Sequence, residues 1–185
     1  MMSSSVISSE GGVISIYGTG VELHVPPGAL QDENLIQLKI LPHHENDTPA
    51  KCFEDHSTVM VEVFPNKLTL LQPASLFLPH CLKIKSVKEC DVRVFQSHHT
   101  QDQEPLWEDV TWRVQYLLSD IRCEIKIQEF CWIKYSIKGA QVEAKRLLLY
   151  AVGKKCKEDS KCVTVHVGYC LDLPHENKVG VLISM

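Results

Sequence analysis

Twenty residues, Gly11 to Leu30 (GGVISIYGTGVELHVPPGAL), constrain this chain more than any other stretch. They hold two apolar runs, a glycine-bracketed turn and a proline-glycine stop. Val21, Leu23 and Val25 alternate with Glu22 and His24. A period of two is that of a strand with one buried face. Gly18 and Gly20 flank Thr19, so the backbone can take positive φ and reverse there. Pro26-Pro27 removes two backbone donors and ends the second strand, and Gly28 permits a tight turn after it. The stretch is the opening of a β-meander.

The same period continues downstream. Ile36, Leu38 and Ile40 alternate with Gln37 and Lys39. Val59, Val61 and Val63 alternate with Met60, Glu62 and Phe64, a pattern that predicts burial on both faces. Leu76 and Leu78 precede Pro79, and Val92 and Val94 flank Arg93. Val110, Trp112, Val114 and Tyr116 share a parity and predict another strand. Ile121, Cys123, Ile125 and Ile127 alternate with Arg122, Glu124 and Lys126, and Phe130 to Ile137 follows. No window of about 12 residues carries a helical period. Many short strands between Pro, Gly, Asn and Asp turns predict an all-β antiparallel sandwich. Two long polar loops, 43–57 and 96–105, interrupt it.

After Gly139 the pattern restarts. Lys145 to Val152 and Cys162 to Leu171 predict a two-strand hairpin across a charged turn, 154–161. Val163, Val165, Val167 and Tyr169 are in phase along its second strand. A lone hairpin is marginal in water, so this one must pack on the sandwich, pair with a partner or fray.

The opening stretch resembles the start of the ZU-five domain, the homology domain of zonula occludens proteins and uncoordinated-five netrin receptors. Gly11-Gly12, Gly18-Thr19-Gly20 and Val25 to Ala29 stand where that family has its Gly-Gly strand, Gly-Thr-Gly turn and Val-Pro-Pro-Gly-Ala ending. Val61 to Cys81 resembles its second block, which closes on Leu-Pro-His-Cys. Lys145-Arg146-Leu147 and Tyr169-Cys170-Leu171 resemble the UPA domain that follows in netrin receptors, ankyrins and the p53-induced death-domain protein. The serine-rich start reads as a disordered lead over 1–9, and the resemblance implies a ZU-five sandwich over 10–138 and an incomplete UPA-like segment over 140–185.

Composition limits the chemistry. Residues 1–139 carry 12 Lys/Arg against 18 Asp/Glu, and residues 140–185 carry 7 against 5, which excludes a generally basic nucleic-acid binder. No apolar run approaches the roughly 20 residues of a membrane-spanning helix. The first twelve residues lack the basic and apolar regions of a secretory signal, so the eight cysteines are expected as free thiols, with Cys123 pointing into the core. Zinc favours paired ligands at short spacing, such as CxxC. No such pair occurs, and His80-Cys81 on a strand would face opposite ways, so no metal or other cofactor is expected and the histidines are read as surface residues. There is no GxSxG, GxGxxG or P-loop.

One position carries a candidate reaction. Some ZU-five relatives cut themselves at a His-Phe-Ser sequence, the serine attacking the preceding carbonyl while the histidine handles its proton. The aligned residues here are Glu129, Phe130 and Cys131. A thiol is a competent nucleophile, but an ordinary glutamate is a weak base at neutral pH. The three are therefore read as a vestigial site and the chain as no enzyme. A self-cleaving domain using Cys131 and a junctional or cytoskeletal scaffold module are the alternatives. The resemblance implies a cytoplasmic signalling module whose partners are proteins: UPA domains, death domains or a cytoskeletal protein. Nucleic acid and small-molecule substrates are not expected.

Overall fold

A computed structural model of the chain describes residues 1–41, 58–98, 104–139, 141–155, 163–174 and 179–184. Its strands are, in chain order, β1 (Met2–Ile7), β2 (Gly12–Ile16), β3 (Val21–Val25), β4 (Asn34–Leu41), β5 (Met60–Phe64), β6 (Thr69–Pro79), β7 (Leu82–Ile84), β8 (Asp91–Ser97), β9 (Glu108–Asp109), β10 (Tyr116–Leu118), β11 (Arg122–Glu129), β12 (Trp132–Lys138), β13 (Val142–Lys145), β14 (Leu147–Lys155), β15 (Val163–Leu171) and β16 (Val179–Ser184). A six-stranded sheet runs β1-β4-β5-β12-β8-β9, and a five-stranded sheet runs β10-β11-β6-β3-β2, with every pair antiparallel. Among the described residues the only helical element is one 3-10 turn, Val87–Glu89.

The all-β expectation holds, and the period-two rule explains how. Val21, Leu23 and Val25 of β3, Ile36, Leu38 and Ile40 of β4, and Cys123, Ile125 and Ile127 of β11 all point into one buried cluster between the sheets. Tyr135 ties the layers together: its hydroxyl leaves β12 and donates to the Leu78 carbonyl of β6 across the core, at 3.0 Å. A buried phenol must find such a partner. Gly18 and Gly20 both take positive φ, at 73° and 72°. Between them Thr19 donates its hydroxyl to the Ile16 carbonyl at 2.6 Å and accepts from the Val21 amide at 3.1 Å, so the turn closes on its own side chain.

Several expectations are corrected. The lead over 1–9 is not disordered: β1 pairs with β4 from Met2↔Lys39 to Ile7↔Asn34. Its serines read as solvent-loving, but an edge strand is held by main-chain bonds, and here only Ile7 reaches the core. β5 is buried on one face, not two, since Phe64 is 46% exposed. Ile121 precedes β11 and is exposed. The stretch 110–116 is a turn followed by the start of β10: the Asp109 carboxylate accepts from both the amide and the hydroxyl of Thr111, which winds the chain, buries Val110 and leaves Trp112 81% exposed. The extension is a three-stranded sheet, β14-β15-β16, not a two-strand hairpin, and β13 pairs separately with β7. The loop 43–57 and the charged turn around Lys157 and Lys161 lie outside the described residues, as does much of 96–105.

Candidate functional site

Glu129, Phe130 and Cys131 lie where β11 hands over to β12. The register of β11 on β6 slips between Ile127 and Glu129, so the chain turns inward and Phe130 and Cys131 are fully buried. Both sides of the peptide between them are pinned. The Phe130 amide donates to the Leu68 carbonyl at 2.9 Å, and the Phe130 carbonyl accepts from the Lys67 amide at 2.8 Å. The Cys131 carbonyl accepts from the Val63 amide at 3.0 Å. The Cys131 thiol donates to the carbonyl of Glu129, at 3.8 Å, not toward the carbonyl it would have to attack. Burial and the Glu129 charge push that thiol up to about 12. The Glu129 carboxylate meets Nε2 of His98 at 3.9 Å. A histidine thus stands beside the candidate base, brought by the end of β8 and not by local sequence. His98 Nδ1 is buried with no hydrogen bond among the described residues. Thr69, Gln96, Arg113, Lys126 and Gln128 line an open polar cleft of about 490 Å³ beside Glu129.

A second constellation was not foreseen. His80, read as a surface residue, is fully buried, and so is Cys81 beside it. The chain leaves β6 after Pro79 and does not continue as a strand, so the opposite-face rule does not apply. The His80 ring spans two backbone groups, Nε2–H donating to the Ser119 carbonyl at 3.0 Å and Nδ1 accepting from the Leu82 amide at 3.2 Å. Burial holds this histidine below its ordinary value of 6.5, and the neighbouring Arg146 pushes the same way.

Arg146 sits between β13 and β14 and binds three consecutive carbonyls. Its Nη2 donates to His80, its backbone amide to Cys81 and its Nη1 to Leu82, the last at 3.1 Å. Its Nε meets the Asp172 carboxylate at 3.4 Å, and the Asp172 amide donates back to the Arg146 carbonyl at 3.0 Å. Leu171 and Leu173, on either side of Asp172, are buried in the same cluster as the sandwich core. Thr19, Pro79, Arg122 and Leu148 complete a cleft of about 370 Å³ at this joint. The extension therefore docks through the pairing of β13 with β7, and its β14–β16 sheet through one guanidinium and two leucines. Beyond the joint its β14 and β15 strands keep Leu147, Leu148, Leu149, Val152 and Val167 exposed, Leu149 at 79%.

Among the described residues no group of three His, Cys, Asp or Glu side chains is placed to hold a metal ion. Cys90, Cys123 and Cys131 carry free thiols, and Cys123 is buried as expected. None of the described helices is long and apolar enough to cross a membrane. The family model of the ZU5 domain matches residues 3–98, just over half of the 185-residue chain. The match starts in β1 and ends after β8, yet β11 and β12 lie inside the two sheets, so the sandwich closes only with residues up to Lys138.

Proposed function

The chain belongs to the ZU5 domain family, a family of protein-interaction modules, and from that premise we propose that it is a non-enzymatic docking module of cytoplasmic signalling, built on the plan of the netrin receptors' intracellular region. In this reading the ZU5 unit takes in β1 and runs to residue 138, and residues 140–185 are a UPA-like segment seated on it. The partners are proteins: a UPA domain, a death domain or a cytoskeletal protein.

One observation supports the reading most. The segment after Gly139 is anchored on the sandwich through Arg146, Leu171 and Leu173 while it holds out an apolar strand pair. Exposed Leu147, Leu149 and Val167 stand in register across β14 and β15, Leu149 opposite Tyr169 and Ala151 opposite Val167. Contiguous apolar surface of this kind marks interaction sites. The self-cleaving alternative has less behind it, because the Cys131 thiol is buried and turned to the wrong carbonyl.

Calorimetric titration of the purified chain with a purified death domain, a purified UPA domain and a cytoskeletal partner of the family tests this. A micromolar complex with one of them, weakened by Leu149→Asp, is expected. Absence of any complex, or a partner whose affinity ignores Leu149, overturns the assignment of the surface.

A further inference from the structure

The seat of Arg146 is built beside a single ring. Three consecutive carbonyls, those of His80, Cys81 and Leu82, turn toward one side chain and its amide. Successive carbonyls on an extended strand point to alternate sides, so this stretch must be held bent. Its bend is held by the His80 ring, whose Nδ1 accepts the Leu82 amide while Nε2–H reaches across to Ser119. Only the neutral ring with its proton on Nε2 can make both bonds, because a protonated imidazole has no acceptor.

We propose that His80 is a proton-operated latch: its neutral ring keeps the three-carbonyl seat shaped for Arg146, and taking up a proton loosens the seat so that β14–β16 open from the sandwich more often.

On protonation a hydrogen appears on Nδ1, facing the Leu82 amide hydrogen it used to accept. Two donors then meet and one backbone amide loses its partner in a buried place. The new charge also stands beside the Arg146 guanidinium, which donates to the carbonyl of this same residue. Among the described residues the charged groups around the ring are few. Arg146 opposes protonation from the extension, and Asp120 favours it from the turn between β10 and β11. Asp172 pairs with Arg146 from the far side, and Arg122 lies on the wall of the same cleft. The sign follows from linkage. Burial lowers the proton affinity of this ring and Arg146, the charge that docking brings, lowers it further, so docking is favoured while the ring is neutral, and that contribution is lost as pH falls through the lowered value.

Amide exchange on the full chain, corrected for the intrinsic effect of pH, tests the latch. Protection at the amides of Leu82, Arg146 and Asp172 is expected to fall at least about tenfold between about pH 7.5 and about pH 5, while core amides of β3 and β11 stay protected. The His80 imidazole resonance, followed in the same samples, should titrate with the same midpoint as the opening. His80→Gln does not titrate, so the protection of its joint, whatever its level, should not change between these pH values. The proposal is overturned if the joint stays protected below the His80 midpoint, if opening follows the carboxylate range instead, or if His80→Gln opens as the wild type does. Should that variant fail to fold, the comparison of midpoints in the wild type still decides.

Discussion

Replacing Arg146 by methionine removes the guanidinium and keeps most of the stem. The backbone amide still reaches the Cys81 carbonyl, but the carbonyls of His80 and Leu82 lose their charged donor. A hydrogen bond to a charged group contributes about 1.5–3 kcal/mol, and the lower end applies because the Arg146 side chain is 38% exposed and water can substitute in part. The pair with Asp172, itself 43% exposed, adds less than about 1 kcal/mol. Together these set the loss at about 2–4 kcal/mol of docking free energy. Against it stand Leu171 and Leu173, whose burial contributes roughly 1.5–3 kcal/mol each. The variant should therefore stay mostly docked but open about 30- to 700-fold more often. Exchange at the Asp172 amide, which donates to the Arg146 carbonyl, reads that opening directly. Adding Leu171→Ala, worth about 2–5 kcal/mol at a buried site, should detach the extension and make it sensitive to protease while the sandwich still unfolds cooperatively. A change below about threefold at Asp172 in Arg146→Met would refute the reasoning, since the seat would then hold without its guanidinium.

Further outcomes follow from other parts of the fold. Gly11→Ala should abolish or severely impair folding: a Cβ there would lie 2.8 Å from the backbone of Pro26 and Pro27 and closer still to the Val25 carbonyl, at a φ of 74°. Gly18→Ala, at φ 73° but with nothing within 4 Å of the added carbon, should cost only about 1–2 kcal/mol in denaturant unfolding. Tyr135→Phe removes the hydroxyl bond to the Leu78 carbonyl and should cost about 0.5–1.5 kcal/mol in the same assay with the fold intact. Freshly purified chain should run as one band on denaturing electrophoresis, and so should Glu129→His; a band pair cut before Cys131 and abolished by Cys131→Ala would show that the buried thiol reacts after all. Native alkylation near neutral pH should modify Cys90 well before Cys123 and Cys131, whose thiols burial pushes up to about 12.

What the sequence made legible was whatever the backbone dictates locally. Gly18-Thr19-Gly20 and Val25-Pro26-Pro27-Gly28 name their own conformations, because positive φ and missing donors leave few alternatives. One-sided alternation located the buried rows of β3, β4 and β11 for the same reason. Composition misled wherever long-range pairing supplied the stabilisation. The serines of β1 resemble a disordered lead until β4 offers them a ladder. The parity of Val110, Trp112 and Val114 resembles a strand until Asp109 wraps around Thr111. The joint is the extreme case. Its ring contact joins His80 to Ser119 across 39 positions, and its guanidinium contacts join Arg146 to Leu82 and His80 across 64 and 66. No window of sequence contains such a pair. The family resemblance had marked both ends, through Leu-Pro-His-Cys and Lys-Arg-Leu, without saying that they meet. Their meeting gives the two motifs one physical meaning: the histidine bends the chain into a seat, the arginine fills it, and with Leu171 and Leu173 they hold the sheet beyond against the sandwich.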